Sequence, residues 1–426
     1  MGELHDRRTA WTAPERPAWL AKFNSLGPLL DIEGIVPLDA ESLMAHAARN
    51  TGLDDFGDED GWRQHFEVLL TSIAEEAKLN FFGRIYTRAE LLIDLQARLQ
   101  VIDAYKRHPE IAEEVIVEPV FIVGFGRSGT TILQDTLARD PQFRSVRRWE
   151  AQHPWPAPEE ETYETDPRAR TAQNLVDVVH EFCPEWPSMH AWGGDLTVED
   201  IEFTHGAFLS EVWENAYQIP SYVKYFNQAD ISYHYEWHSK MLKLLQWKFR
   251  RSHWLLKNPT HLPRLPQLLQ QYPDAKFIFT HRDPIVSGDS VVNVMGTIYH
   301  QRTDDPWGSG EVLKDAMLAD LRAKMWDDVI EWIESGVVKP GCYTNFRYSD
   351  FKKDPMAMLA TMYDELGLHR DERVFRDMAA FLEEQNAGSH GNKNNYAKTA
   401  AGSSVAVAER KIYQRYQDYF DIVSEV

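Results

Sequence analysis

Between Gly124 and Thr131 the chain reads Gly-Phe-Gly-Arg-Ser-Gly-Thr-Thr, directly after the β-branched run Val115 to Val123. A Gly-rich turn that joins a strand to a helix aims backbone N–H groups and a helix N-terminus at a phosphate-like anion. The spacing nearly fits the nucleotide loop G-x-x-x-x-G-K-[ST]. Gly124 and Gly129 take the glycine places and Thr131 the Ser/Thr place, but Thr130 stands where the lysine belongs. That lysine reaches the outer phosphates of a triphosphate, so its absence argues against an ordinary NTPase. Arg127 supplies a cation within the loop instead. The chemistry implied is the holding of an oxyanion other than a triphosphate tail. The competing reading is a Gly-rich turn with no ligand.

The elements that must position this loop alternate along the chain. After the helix that follows Thr131, Trp254-Leu255-Leu256 leads to Lys257, and Lys276 to Thr280 leads to His281-Arg282-Asp283-Pro284. Cys342 to Phe346 leads to Arg347-Tyr348. Strands alternating with helices predict an α/β fold, a P-loop-like doubly wound core around a central parallel sheet. Ligands of such sheets lie at the carboxyl ends of the strands, where Arg127, Lys257, Arg282 and Tyr348 all fall.

Around that core the sequence predicts two additions. Residues 1–114 read as an irregular arm and a helical clasp, with helices near 38–50, 58–78 and 86–107. Leu91, Leu92, Leu95, Leu99 and Ile102 form an apolar stripe on the third. This clasp shows no chemistry of its own. Residues 115–426 form the α/β domain, with a helical, aromatic-rich insertion at about 160–250 that packs on itself or walls a pocket for a hydrophobic acceptor. The prolines between Ser145 and Pro158 predict a shaped loop there. Long helices are expected at about 311–335, with Leu313, Met317, Leu321 and Met325 on one face, and at Val405 to Phe420. A Gly/Asn-rich loop opens the segment 387–426.

Composition narrows the function classes. A formal charge of −21 speaks against general nucleic-acid or anionic-membrane binding. An acidic protein holding an anion must gather cations locally, and Arg127, Arg144, Arg147 and Arg148 cluster near the loop. Two cysteines, Cys183 and Cys342, are too few for a disulfide framework and fit a reducing, cytoplasmic setting. No stretch reaches the length of a membrane span. His180 and Cys183 have a spacing seen at metal sites, but an isolated pair is far more often structural.

Together these motifs resemble the sulfotransferases that use 3′-phosphoadenosine 5′-phosphosulfate (PAPS), in the pattern of a bacterial branch with an N-terminal helical extension. Gly126-Arg127-Ser128-Gly129-Thr130-Thr131 resembles that family's 5′-phosphosulfate loop, and Lys257 to Leu262 its lysine/histidine segment. Phe279 to Ser290 resembles its 3′-phosphate site, and Phe346 to Pro355 the segment whose tyrosine lies by the adenine. Trp149-Glu150 with His153-Pro154 resembles an acceptor-side loop.

The resemblance implies that PAPS is held by Arg127, Ser128, Gly129, Thr130, Thr131, Arg282, Ser290 and Tyr348, with Lys393 as a substitute for a missing basic motif. Lys257 and Arg127 would stabilise the leaving phosphate without a metal. The general base would be Glu150, His261 or His153. The acceptor would be a small, hydrophobic or lipid-like hydroxyl compound, and the protein could pair as a homodimer. Where relatives carry Trp after the Thr-Thr pair, this chain has Ile132. A P-loop small-molecule kinase and a non-catalytic nucleotide-binding protein of the same fold are the competing classes.

Overall fold

A computed structural model describes residues 11–57, 61–308, 318–388 and 398–426. In the N-terminal part, helices α1 (Ala40–Thr51), α2 (Trp62–Glu76) and α3 (Phe81–Arg107) form the clasp. Asp39 and Asn80 cap α1 and α3 by accepting the Ser42 and Gly83 amides. The stripe on α3 is buried at Leu91, Leu95, Leu99 and Ile102.

Strand β1 (Val120–Gly124) begins later than the β-branched run suggests. Glu118 has a left-handed φ of 41°, and Val115 and Val117 face solvent, so only residues beyond Pro119 join the sheet. The loop then opens helix α4 (Thr130–Leu137), followed by strand β2 (Phe143–Arg144). Between Ser145 and Pro158, where the prolines predict only a loop, there is a short helix, α5 (Arg148–Gln152). The prolines all follow this helix, and the Glu150 carboxylate caps its start by accepting the Arg147 amide at 2.9 Å.

The insertion contributes α6 (Pro167–Phe182), a 3₁₀ helix Asp200–Ala207, α7 (Val212–Ala216) and α8 (Ser232–Gln246). Its aromatics do not make a separate core. Phe208 packs on Phe66 at 4.5 Å and on Trp62 at 5.8 Å between ring centroids. Arg98 of α3 sits 4.4 Å from the Trp62 ring and 4.7 Å from the Trp237 ring, and donates to Gly206 O and Tyr233 Oη. Clasp and insertion therefore share one apolar core, with a buried cation held by aromatic faces and oxygen acceptors.

Strands β3 (His253–Lys257), β4 (Lys276–His281) and β5 (Tyr343–Arg347) complete a parallel sheet of order β2-β3-β1-β4-β5. The chain reverses its winding at β1, so the Gly-rich loop emerges at the switch point between β3 and β4. The register pairs Ile122 with Lys257, Gly124 with Thr280 and His281 with Arg347, which brings the polar strand ends to one edge.

Helix α9 (Pro284–His300) follows β4, with Asp283 accepting the Ile285 amide as its cap. Of the long helix expected at 311–335, α10 is described as Ala319–Glu334; Leu313 and Met317 lie outside the described residues. Its buried face is Arg322, Trp326, Val329 and Ile330, and Leu321 points to solvent, a different face from the expected one. The expected final helix is two, Ser404–Ile412 and Gln414–Phe420, hinged at Tyr413. Tyr416 and Phe420 nevertheless pack on Trp326 at 4.9 and 5.2 Å. No helix among the described residues is long and apolar enough to cross a membrane.

Candidate active site

The loop at the end of β1 is shaped by two left-handed residues. Gly129 has φ 93°, and Arg127, a non-glycine, has φ 71°. Left-handed residues alternating with ordinary ones form a nest for an anion, and holding Arg127 in this region costs on the order of 1 kcal/mol. The backbone amides of Gly129, Thr130 and Thr131 have no hydrogen-bond partner among the described residues. They lie at the N-terminus of α4, where the helix dipole favours negative charge. Ser128 differs from its neighbours. Its hydroxyl donates to Phe125 O at 2.6 Å and meets Thr280 Oγ1 at 2.7 Å, so its side chain braces the loop and is not free for a ligand.

Other expected anion-site residues gather on this loop. Arg127 Nε donates to Ser290 Oγ at 3.0 Å and its Nη1 to Met189 O at 2.9 Å. Arg282 Nη1 donates to Arg127 O at 3.2 Å, and its guanidinium lies 4.8 Å from the Tyr348 ring. A Cβ built on Gly129 would fall 2.6 Å from Tyr348 Cδ2, so the glycine permits the ring to close on the loop. Three segments widely separated in sequence, carrying Arg127 and Gly129, Arg282 and Ser290, and Tyr348, thus converge. Lys393 lies outside the described residues.

Arg282 also has a partner that sequence reasoning missed. Its Nε and Nη2 donate to the two carboxylate oxygens of Glu425 at 2.9 and 3.1 Å. Asp283 anchors this segment by accepting the Glu425 amide at 2.6 Å and Arg410 Nη1 at 2.8 Å. A carboxylate therefore stands on the guanidinium expected to bind a phosphate.

On the other side of the loop, Lys257 Nζ lies 3.3 Å from Thr131 Oγ1 and 3.4 Å from Glu199 Oε1. Glu199 is half-buried and its pKa is raised, because burial outweighs the pull of Lys257. This glutamate was not singled out by its sequence context, an irregular stretch after His190.

Glu199, Arg127 and Thr131 line a cavity of about 390 Å³. Apolar walls come from α6, α9 and the insertion, including Val176, Val179, Trp186 and Met295. Helix α3 supplies Tyr86, Glu90, Ile93 and Asp94, so the clasp does take part in the site, contrary to the sequence expectation. The signal was present in their helical spacing, on a face other than the leucine stripe.

None of the three expected bases lies on this cavity. Glu150 is fully buried. It pairs with Arg144, accepts Tyr163 Oη at 2.7 Å, and caps α5. Its oxygens are consumed by structure, which removes it as the base.

His261 is buried, with Nε2 3.1 Å from Asp200 Oδ2 and Nδ1 3.2 Å from Tyr235 Oη. His238 Nε2 meets the same Asp200 oxygen at 3.3 Å, and its Nδ1 meets Tyr272 Oη at 2.7 Å. Asp200, His238 and His261 have ligand atoms close enough to hold a metal ion, yet each ring nitrogen already has a protein partner. The cluster ties the segment after Lys257 to the segment after Glu199, and so helps fix the distance between those two. His153 sits beside Arg168, and burial with that charge lowers its pKa. His190 does line the cavity, but burial and Lys257 lower its pKa to about 4, which makes it a weak base.

Comparisons with known proteins bear on the family and the fold. The model of the sulfotransferase family matches residues 119–372. The omega-hydroxy-beta-dihydromenaquinone-9 sulfotransferases Stf3 of Mycobacterium bovis and Mycobacterium tuberculosis are each 28% identical over 273 residues, 61% of this chain. The chain spans 65% of the length of these curated relatives. The crystal structure of sulfotransferase STF1 from Mycobacterium tuberculosis H37Rv superposes with a TM-score of 0.71 at 26% identity, covering 88% of this chain and 98% of that one. STF9 from Mycobacterium avium has the same fold, with a TM-score of 0.72 at 23% identity and coverage of 91% and 97%. The family match covers more than half of the chain, and the protein belongs to the sulfotransferase family.

Proposed function

We propose that the protein transfers a sulfuryl group from PAPS to the hydroxyl of an apolar small molecule or lipid. The observation that carries this reading is the convergence of Arg127, Ser290, Arg282 and Tyr348 on the unpartnered amides of Gly129 to Thr131, with Lys257 beside Thr131. The amides and Lys257 suit the 5′-phosphosulfate, Arg282 and Ser290 the 3′-phosphate, and Tyr348 the adenine. The apolar walls of the cavity suit a hydrophobic acceptor. The two mycobacterial relatives are named for a hydroxylated menaquinone, which favours the same class.

In the proposed step the acceptor oxygen attacks sulfur and the bond from sulfur to the 5′-phosphate oxygen breaks. The electron pair leaves on that phosphate, next to Lys257, and the hydroxyl proton passes to the Glu199 carboxylate. Glu199 replaces Glu150, His261 and His153 in this role because it borders the cavity and touches Lys257. Fixed cations and amides neutralise the developing charge, as in phosphoryl transfer.

Adenosine 3′,5′-bisphosphate, the product left by the donor, tests the reading. At about a hundredfold excess over its Kd it should raise stability by about 3 kcal/mol, with adenosine 5′-monophosphate and ATP giving much less at equal concentration. Glu425→Gln removes the carboxylate from Arg282, so the bisphosphate should bind that variant several-fold more tightly. Stronger stabilisation by Mg-ATP than by the bisphosphate would favour a kinase instead.

A further inference from the structure

A second polar corner opens on the same cavity. His205, on the 3₁₀ helix Asp200–Ala207, places its Nδ1 3.2 Å from Asp94 Oδ1 and 3.3 Å from Oδ2. Burial alone would lower its pKa, but Asp94 prevails and raises it. Its other nitrogen, Nε2, is buried without a protein partner. The ring is braced against Trp213 of α7 at 5.2 Å.

From the same helix α7, Asn215 also lines the cavity, and its side-chain amide has no partner among the described residues. Helix α7 packs against both the 3₁₀ helix and α9, so His205 and Asn215 come from neighbouring walls. The other charged groups here are committed to one another. Glu90 pairs with Arg302 at 2.6 Å, and Glu202 with Arg148 at 3.1 Å. A buried nitrogen with hydrogen-bonding capacity left over costs free energy unless something answers it.

We propose that His205 and Asn215 bind a second oxygen of the acceptor, so the substrate class is an apolar molecule with oxygen functions at both ends. This rests on the sulfotransferase reading and adds to it the spacing of the two oxygens. Glu199 stands at the start of the 3₁₀ helix that carries His205, and six residues of 3₁₀ rise put their backbones about 12 Å apart. Asp94 engages the imidazole through Nδ1, so the nitrogen left for the ligand is Nε2. Asn215 offers both donors and an acceptor, which accommodates a hydroxyl or a carbonyl. The rest of the acceptor is gripped by apolar walls that cannot tell such molecules apart.

Calorimetry of n-octanol and its α,ω-diol, with the protein saturated in adenosine 3′,5′-bisphosphate, reads this directly. The diol should bind the unaltered protein about tenfold more tightly than the mono-alcohol, the gain expected from one additional buried hydrogen bond. His205→Phe, which keeps a ring against Trp213, should bring the two affinities together, and Asn215→Ala should narrow the gap. Thermal melting of each variant separates misfolding from loss of recognition, and Asp94→Asn offers a milder route to the same loss. Equal affinities in the unaltered protein, no binding of the diol, or an advantage that survives in folded His205 and Asn215 variants overturns the proposal. Because binding is measured without turnover, preferential binding of the diol with no sulfate ester formed would instead overturn the reaction.

Discussion

Replacing Glu199 by glutamine is expected to lower kcat by roughly 10²- to 10⁴-fold, the range for removal of a positioned general base. Binding of adenosine 3′,5′-bisphosphate should not weaken, because Glu199 does not touch Arg127, Ser290 or Arg282 and its loss only removes a carboxylate from beside Lys257. The sign of the pH dependence follows from its environment. A base must be ionised to accept a proton, and burial raises the Glu199 carboxyl above the ordinary range despite Lys257 at 3.4 Å. The kcat/KM of the unaltered protein should therefore rise with pH through that raised pKa, to a plateau once Glu199 is charged. The glutamine variant should lose this acidic limb along with its rate. If the limb persists at full amplitude in the variant, another group takes the proton.

Glu150→Ala should act on stability rather than on chemistry, and its effect should be large. Arg144 is buried with the Tyr163, Phe249 and Trp254 rings at 4.7, 4.4 and 5.1 Å, and Glu150 is its counter-charge. Truncation would strand that guanidinium in an apolar cage, leave Tyr163 Oη without its acceptor, and uncap α5. Breaking a buried pair from one side costs about 3–5 kcal/mol. In a protein whose whole stability is on the order of 5–15 kcal/mol this is a major loss, and urea denaturation should report it. Glu150→Gln keeps the shape and some of the hydrogen bonds, so its folded fraction should retain turnover near that of the unaltered protein. A stably folded Glu150→Gln variant with turnover down a hundredfold or more would return Glu150 to the chemistry.

The sequence made the donor side of the site legible for a physical reason. A parallel strand buried on both faces is a short apolar run, and the residue that ends it stands out. Arg127, Lys257 and Arg282 stand out in this way, Tyr348 follows the edge strand β5 with its alternating burial, and the sheet brings all four strand ends to one edge. The acceptor side has no such marker. Glu199 arrives from an irregular stretch, and only the fold of the insertion sets it against Lys257.

Glu150 illustrates the opposite error. Its likeness to an acceptor-side glutamate in the loop after the first core helix suggested chemistry, but its decisive neighbour is Arg144, which turns inward at the end of β2. In the clasp, likewise, the leucine stripe accounts for only one face of α3. Tyr86, Glu90, Ile93 and Asp94 occupy another, and their meaning depends on a cavity formed with distant elements. Glu425 on Arg282, 143 residues away in the chain, is beyond any local pattern.

Sulfuryl transfer itself gives the most direct test. The protein is incubated with PAPS and n-octanol, and octyl sulfate and adenosine 3′,5′-bisphosphate are quantified together. The account predicts that both form in equal amounts without added metal, and that Lys257→Ala abolishes both while leaving the protein folded. Release of the bisphosphate without any sulfate ester across a series of apolar alcohols, or octyl phosphate formed from ATP, would contradict it.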